Sequence, residues 1–324
     1  MNKNKIQCLI ISNTLDYSTD LVCLALEKRN ANYLRINRDQ FEKFRITLDV
    51  SKIRLFIEYD NQEFIFENSS KNSIFFRAPV FIRTMNKSFS LEEQIYKSQW
   101  NSFIRNLIVF DLINWVNNPV DTYRAENKAF QLKKAKENGL EIPKTLITNT
   151  ISNKIEEREN YIVKSIDTAL FNENGIEMFV YTNVVSRNEL INSDLTLAPV
   201  FIQEYLKEKL DLRVTYISGE LFPVEILSKN KVIFDDWRKE KKEELEYKLT
   251  ILPLDIEKKI INLMKELKLE YGGIDLIKKD NKYYFIEVNP TGEWGWLSTN
   301  IKLRIEDSIV SSLLQLKKED KKND

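Results

Sequence analysis

Short apolar runs bounded by turn residues alternate with amphipathic helical patterns along this chain, and the alternation predicts an α/β (α+β) fold. Residues 7–12 and 32–36 have the composition of buried strands. A helix predicted to open at Ser18 lies between them and would complete a parallel βαβ unit. Alternating strand patterns follow between residues 46 and 67, where Asp60 and Asn61 are typical of a turn.

A long amphipathic helix is predicted to begin at Ser90 and to continue through Trp115. Ser90 and Glu93 have the spacing of a capping box, which marks a helix N-terminus. The Asn-Asn-Pro sequence at 117–119 would end this helix and is the first candidate domain boundary. Strands and helices then alternate as far as a final helix predicted from about residue 300.

The most polar strand pattern is a hairpin at residues 272–290. Glu287 and Asn289 are two apart on one strand and therefore share a face. A turn that leaves residues 280–282 unpaired would place Asp275 opposite Glu287, whereas a two-residue turn would pair Asp275 with Ile286. Apolar patterning favours the first register because one face then holds only apolar side chains. These are Ile274, Leu276, Ile286 and Val288.

In the favoured register, Asp275, Glu287 and Asn289 converge beside the end of the hairpin. Two carboxylates and an amide oxygen form an all-oxygen ligand set that suits Mg²⁺. The alternative, for such a hairpin in isolation, is an ordinary polar face exposed to solvent.

Composition excludes several classes of chemistry. The chain has no histidine, which removes Ser-His-Asp and Cys-His nucleophile systems and histidine zinc sites. None of the seven glycines forms a P-loop or a dinucleotide fingerprint. The formal net charge of zero disfavours nucleic acid and anionic membranes as partners. Cys8 and Cys23 lie in apolar runs, and no signal peptide or membrane span is evident, so a cytoplasmic protein is expected.

The acidic hairpin resembles the signature of ATP-grasp ligases, with IDLI at 274–277, IEVNP at 286–290 and an aspartate twelve residues before the glutamate. Over essentially the whole chain the sequence is similar to the ATP-grasp peptide maturases that make graspetides, of the microviridin and grasp-with-SPASM types. The segments that carry this resemblance include NTLDYSTD, FFRAP, NKAFQLKKAKENGLEIP, FDDWR and IEVNPTGEW. The resemblance implies an ATP-grasp fold with an N-terminal pre-ATP-grasp α/β domain (1–118), a central domain (119–197) and a C-terminal domain with the metal site (198–324).

The resemblance also implies roles for residues that would bind ATP. Lys128 and Lys164 resemble the two phosphate-binding lysines, although Lys128 by itself has the pattern of a solvated helix lysine. Asp211 resembles the acceptor for the ribose hydroxyls, and Glu208 competes with it for that role. Residues 166–177 contain one glycine where many ATP-grasp enzymes have a glycine-rich phosphate lid, so the lid is not identified. The segment that resembles the adenine-binding hinge comprises Gln203, Glu204, Tyr205 and Leu206.

Two arginines are candidates for the reaction itself. Arg213 resembles an arginine near the γ-phosphate, where a planar cation would stabilise the charge that develops during phosphoryl transfer. Arg238 is a second candidate for phosphate or for a substrate carboxylate, and an exposed arginine in a charged loop is its alternative.

The implied activity is Mg²⁺- and ATP-dependent phosphorylation of an Asp or Glu side chain in a ribosomally made precursor peptide. A Ser or Thr hydroxyl, or a Lys amine, of the same peptide would then close an ester or amide. The partners expected from the resemblance are a precursor with leader and core segments and a second copy in a homodimer. A ligase acting on free amino acids or on a peptide terminus is the nearer alternative, and a non-catalytic nucleotide- or peptide-binding module is the more distant one.

Overall fold

The predicted βαβ unit is present at the start of the chain, where Cys8 pairs in parallel with Tyr33. The computed structural model describes residues 4–77, 89–151, 154–166, 170–173, 176–179, 182–229, 233, 237 and 241–316. One sheet has the strand order β3-β2-β7-β8 and is parallel, and another has the order β1-β6-β5-β4. The elements of this part are β1 (Asn4–Lys5), β2 (Cys8–Ser12), α1 (Tyr17–Lys28), β3 (Tyr33–Asn37), a 3-10 helix (Arg38–Lys43), β4 (Arg45–Asp49), β5 (Arg54–Tyr59), β6 (Gln62–Glu67), β7 (Ser73–Phe76), α2 (Leu91–Asn106), a 3-10 turn (Leu107–Val109) and β8 (Asn114–Val116).

The helix predicted from Ser90 has the expected start but ends earlier than predicted. The capping box between Ser90 and Glu93 is formed in both directions. Trp115 lies instead in β8, which pairs in parallel with β7. The apolar pattern misled because Phe110 and Ile113 are buried in the same core as the helix, so burial continues after the helix has ended.

The central part forms a sheet with the order β13-β10-β14-β9. Helix α4 ends at Glu137, and the predicted Gly139 follows its cap residue with a φ of 76°, a conformation that glycine favours after a helix. Strands β11 and β12 pair as a separate antiparallel ribbon. The elements here are α3 (Pro119–Ala125), α4 (Lys128–Glu137), β9 (Thr145–Thr148), β10 (Asn160–Lys164), β11 (Leu170–Glu173), β12 (Ile176–Phe179), β13 (Asn183–Ser186), α5 (Arg187–Ile191) and β14 (Val200–Glu204).

The C-terminal part is an antiparallel sheet with the order β17-β16-β15-β18-β19, and α4 and α6 pack on it through a shared apolar core. The final helix predicted from about residue 300 begins at Ile305 as α8, because Lys302 has the left-handed φ of 53° that ends a separate helix, α7. The elements are β15 (Leu210–Ile217), β16 (Glu220–Ser228), a 3-10 turn (Lys242–Glu244), β17 (Leu245–Leu249), α6 (Leu254–Glu266), β18 (Tyr271–Lys279), β19 (Lys282–Asn289), α7 (Gly295–Ile301) and α8 (Ile305–Leu313).

The N-terminal and C-terminal parts are packed against each other. Val22 and Leu26 of α1 lie in one apolar cluster with Ile305 and Ile309 of α8. Both cysteines are buried in the same cluster, as their apolar context predicted, and burial raises the pKa of the Cys8 thiol to about 12. Across the described ranges, no helix is both long and apolar enough to cross a bilayer.

Asn117 has a different role from the helix stop that was predicted. Its buried side-chain oxygen accepts hydrogen bonds from the backbone N–H groups of Glu270 and Tyr271 at 2.8 and 2.9 Å. Its amide nitrogen donates to the carbonyls of Tyr271 and Pro290 at 2.8 and 3.0 Å. One buried side chain therefore holds together the start of β18 and the residue that follows β19, because every polar atom of the amide is used.

Candidate active site

A cleft of about 410 Å³ lies between the central and C-terminal sheets. Most of the site residues predicted from the sequence line it, although they come from six different elements and from the loop that follows β14. Glu208 does not line this cleft and is exposed, whereas Asp211 is a lining residue. Arg238 lies outside the described residues. The predicted residues that line the cleft are Lys128, Lys164, Gln203, Glu204, Tyr205, Leu206, Asp211, Arg213, Asp275, Glu287 and Asn289.

The acidic hairpin has the predicted pairing, but through a different turn. Asp275 is the partner of Glu287, as the favoured register required. The turn nevertheless has two residues, Asp280 and Asn281, with φ of 49° and 59°. A bulge restores the register, because Leu276 pairs with Phe285 and leaves Ile286 as the extra residue.

The bulge also changes which side chains face the core. Ile286 was predicted to be on the apolar face, but it is only half-buried and lines the cleft. Phe285 takes its place in the core beside Val288. A bulge adds one residue to a strand and thereby reverses the alternation on one side of it, so the simple period of two failed here.

Arg213 is buried against the acidic hairpin. Strand pairing sets it directly across from Asp275, and Nη1 of Arg213 donates to Oδ1 of Asp275 at 2.8 Å. Nε of Arg213 is buried and has no hydrogen-bond partner among the described residues. A buried donor without a partner costs free energy, and an anionic ligand that reached it would remove that cost. This orphaned donor fits a phosphate-binding role.

Two of the seven glycines make room for this guanidinium. A Cβ atom added to Gly292 would lie 2.6 Å from Nη2 of Arg213, and one added to Gly273 would overlap the same group. Neither glycine has a positive φ, so the requirement is space and not backbone conformation. The glycine-poor sequence thus keeps glycine where Arg213 approaches the backbone.

Lys128 approaches the other carboxylate of the hairpin. Its Nζ lies 3.5 Å from Oε2 of Glu287, and both side chains are 18% exposed. The buried Gln131, one turn later on α4, donates to the carbonyl of Val288 at 2.8 Å and accepts from its N–H at 2.9 Å. Gln131 thereby attaches α4 to β19 and sets Lys128 beside Glu287. We did not predict this role of Gln131, and a glutamine on the apolar side of a helix is the signal that could have indicated it.

The predicted hinge and the second lysine lie on neighbouring strands of the central sheet. Nζ of Lys164 lies 5.7 Å from the ring centroid of Phe201. Nε2 of Gln203 donates to the Thr145 hydroxyl at 2.8 Å. The carboxylate of Glu204 lies 3.0 Å from the guanidinium of Arg158, so the side chain of Glu204 belongs to an ion pair within the central part.

Asp211 is paired with a lysine that the sequence analysis did not identify. Nζ of Lys209 donates to Oδ1 of Asp211 at 2.6 Å, and the Lys209 side chain is 5% exposed. Both residues line the cleft. A buried lysine is stable when a carboxylate compensates its charge, which this pairing provides.

The sequence pattern of the RimK-like ATP-grasp domain matches residues 125–313, which is more than half of the chain. This chain belongs to the RimK-like ATP-grasp family. The match includes every cleft residue described above, and it confirms the ATP-grasp resemblance and the predicted α/β fold. The protein is an ATP-grasp ligase.

Three known proteins are similar to this RimK-like ligase over most of its length. The tetrahydromethanopterin:alpha-L-glutamate ligase of Methanocaldococcus jannaschii is 26% identical over 235 residues, which is 67% of this chain and 76% of that protein. A RiPP-associated ATP-grasp ligase of Chryseobacterium gregarium, solved with ADP and a leader and core peptide, is 28% identical with a TM-score of 0.79, and the match covers 96% of this chain and 97% of that one. The macrocyclase MdnC of Microcystis aeruginosa, solved with the precursor peptide MdnA, has the same fold at a TM-score of 0.79 and 24% identity, over 95% of this chain and 99% of that one.

Proposed function

We propose that this RimK-like ligase phosphorylates Asp or Glu side chains of a ribosomally made precursor peptide and closes ester or amide links to Ser, Thr or Lys of the same peptide. The observation that carries the proposal is the likeness, over almost the full length of both chains, to a ligase solved with ADP and a leader and core peptide. The likeness includes the N-terminal part, which lies outside the ATP-grasp match at 125–313. A second copy in a homodimer remains a prediction.

In this proposal the cleft binds ATP along its length. Lys128 and Lys164 contact the phosphates, and the backbone of residues 203–206 contacts the adenine. Asp211 accepts hydrogen bonds from the ribose hydroxyls, and the buried Lys209 keeps the Asp211 carboxylate in place. The support is that all these groups line one cleft although they are separated in sequence.

Asp275, Glu287 and Asn289 would hold Mg²⁺ at the phosphate end of this cleft. The donor set fits because all three ligands are oxygens on adjacent strands, with Asp275 directly opposite Glu287. When bound, the ion would neutralise charge on the transferred phosphoryl group. Arg213 contacts Asp275 and Lys128 contacts Glu287, so each carboxylate of the acidic pair has a protein cation beside it.

The protein's own residues mainly position reactants and stabilise charge. A substrate carboxylate oxygen attacks the γ-phosphorus, the bond to the β-phosphate oxygen breaks, and ADP leaves with that electron pair. The hydroxyl or amine then attacks the carbonyl carbon of the acyl phosphate, the carbon–oxygen bond to phosphate breaks, and phosphate carries away the proton. Arg213 would stabilise the negative charge in both steps. No side-chain nucleophile is required, which is consistent with a chain that lacks histidine.

A second candidate is an ATP-grasp carboxylate–amine ligase that adds a free amino acid to its substrate. The observation that favours it is the 26% identity to the tetrahydromethanopterin:alpha-L-glutamate ligase. The groups that line the cleft suit both reactions, because both pass through an acyl phosphate. The substrates therefore have to be distinguished by experiment.

Co-expression with a candidate precursor rich in Ser, Thr, Asp and Glu, followed by intact-mass measurement, tests the proposal. Each closed ring removes one water from the peptide, whereas addition of an amino acid increases its mass. Asp275→Asn and Glu287→Gln should abolish both ring closure and Mg²⁺-dependent ADP production. Asp280→Asn is the matched control, because it makes the same chemical change in the turn of the same hairpin, where Asn tolerates the positive φ.

Full activity of both Asp275→Asn and Glu287→Gln would contradict the metal assignment. ADP production without any mass loss from the peptide, together with transfer of a free amino acid, would favour the second candidate. Absence of ADP production with every substrate, despite nucleotide binding, would favour a non-catalytic module.

A further inference from the structure

Arg77 links the N-terminal part of the chain to the loop that follows the acidic hairpin. It comes directly after β7 and its side chain is 2% exposed. Its Nε donates to Asp16 at 3.0 Å and its Nη2 donates to Glu293 at 2.8 Å. Its Nη1 donates to the carbonyls of Thr291 and Gly292 at 3.0 and 2.9 Å. The fork of one guanidinium therefore reaches two carboxylates and two loop carbonyls.

Contacts other than the one with Arg77 also hold Asp16 in place. It caps α1 by accepting from the N–H of Thr19 at 3.1 Å, and Oδ2 accepts from the Ser12 hydroxyl at 2.7 Å. Burial would raise the pKa of Asp16, but the Arg77 charge and these hydrogen bonds outweigh burial and lower it to about 2. Asp16 is therefore ionised at neutral pH, and its position is set by α1.

Ser18 makes a second connection to the same loop. Its hydroxyl donates to Oε2 of Glu293 at 2.7 Å and accepts from the N–H of Gly295 at 2.9 Å. Asp16 is thus connected to the loop through Arg77, and Ser18 contacts Glu293 of the loop directly. Both residues lie in one turn of the chain at the start of α1. Three segments that are far apart in sequence, NTLDYSTD, FFR and NPTGEW, meet at this point.

The opposite side of the loop contacts Arg213. There is no room for a Cβ at Gly292, because it would lie 2.6 Å from Nη2 of Arg213. The same nitrogen lies 3.5 Å from the carbonyl of Glu293. Residues 291–293 are therefore packed between the two arginines, and they follow Asn289 with only Pro290 between them.

We propose that Arg77 is a positioning residue of the ligase, which sets loop 291–293 and through it the places of Arg213 and Asn289. This N-terminal arginine lies outside the matched ATP-grasp segment at 125–313. Its effect on catalysis rests on the roles given to Arg213 and Asn289 in the proposed function. If the loop moves, the guanidinium of Arg213 and the last metal ligand both lose their support, and small displacements of such groups lower rates strongly.

The test compares Arg77→Lys and Arg77→Met with the wild-type protein. The readout is the Mg²⁺ concentration needed for half-maximal binding of a non-hydrolysable ATP analogue, measured by calorimetry, followed by kcat for ADP production. Lysine keeps a positive charge between Asp16 and Glu293 but cannot bind both carbonyls with a planar fork. Both variants should need several-fold more Mg²⁺, and kcat should fall on the order of 10²-fold.

Arg29→Met is the matched control for a purely structural role. Nη1 of Arg29 pairs with Asp307 at 3.1 Å, so this arginine, at the end of α1, joins the N-terminal part to α8. Arg29→Met should lower the melting temperature while the Mg²⁺ requirement stays at the wild-type value. Glu293→Gln serves if Arg77→Met does not fold, because the Glu293 side chain is 61% exposed, and it should shift the Mg²⁺ requirement in the same direction.

A wild-type Mg²⁺ requirement and kcat in folded Arg77→Lys, or in Glu293→Gln, would overturn the inference. The binding readout needs no peptide, so it separates this inference from the proposed function. A wild-type protein that binds the Mg²⁺–nucleotide complex but closes no ring would contradict only the proposed function. A wild-type protein whose nucleotide binding does not depend on Mg²⁺ would overturn both.

Discussion

Two buried arginines on opposite sides of loop 291–293 differ in how completely they are bonded. Every nitrogen of Arg77 donates to an acceptor in the protein. Arg213 has one short ion pair with Asp275, and its Nε has no partner in the part of the chain that the structure describes. A buried guanidinium with all donors used contributes to a fixed structure, whereas one with an unused donor is suited to bind an anion.

A similar contrast separates one carboxylate beside Arg77 from one carboxylate of the acidic hairpin. Asp16 accepts from Arg77, Ser12 and Thr19, which leaves little capacity for a ligand. Glu287 lies 3.5 Å from Lys128, which is a loose ion pair, and it lines the cleft. Asp16 therefore serves to fix the structure, whereas Glu287 lies where a ligand in the cleft can reach it.

The largest effect is expected from substitution of Arg213, the arginine with an unused donor. Arg213→Lys keeps the charge but loses the planar fork, so ADP production should fall by about 10²- to 10³-fold, the usual cost of removing a donor to developing charge. The melting temperature should fall less than in Arg77→Met, because the substituted lysine can still reach one carboxylate. Steady-state kinetics and circular dichroism melts measure the two effects. A larger loss of stability in Arg213→Lys than in Arg77→Met would contradict the assignment.

A smaller effect concerns the stability that Asp16 supplies. Its pKa of about 2 in the folded protein lies below the value of about 3.9 for an unfolded aspartate. The ionised carboxylate therefore stabilises the fold above pH 4, by on the order of 2 kcal/mol, and this contribution is lost as the pH falls from about 4 to 2. Urea unfolding of wild type and Asp16→Asn should show a difference that is constant above about pH 5 and shrinks below pH 4.

Asp60→Asn is a control for this pH dependence, because it makes the same chemical change at an exposed turn residue, where Asn tolerates the positive φ. Its unfolding free energy should follow that of the wild type closely. A wild-type-like pH profile for Asp16→Asn would show that the ion pair between Asp16 and Arg77 contributes no net stability.

The smallest expected effect concerns Gln131, a neutral side chain that attaches α4 to β19. Gln131→Leu removes both hydrogen bonds to Val288 and leaves its backbone groups buried without partners, which should cost about 1–3 kcal/mol. Lys128 should lose its fixed position beside Glu287, and KM for ATP should rise several-fold. The same substitution at the exposed Gln99 of α2 should change neither quantity. Unchanged KM in a folded Gln131→Leu protein would argue against the role of α4 in positioning Lys128.

Local signals in the sequence were sufficient for much of the fold. The capping box at Ser90, the Gly139 helix end and the Asp60-Asn61 turn each depend on residues a few positions apart, and the structure has all three. Family resemblance selected the cleft residues, and eleven of the thirteen predicted site residues line the cleft. The remaining two are Glu208, which is exposed away from it, and Arg238, which lies outside the described residues.

The chain by itself determined which residues can carry charge and bind a metal, because side-chain chemistry and period-two spacing placed Glu287 and Asn289 on one face. Only the tertiary structure decided the bulge at Ile286 and the strand at Trp115, since both depend on strands that pair across the sheet. It alone decided that Arg77 meets Glu293, which lies 216 positions away. Hydrogen bonds and ion pairs of buried groups are satisfied by whichever partners the fold brings near, and spacing along the chain does not contain that information.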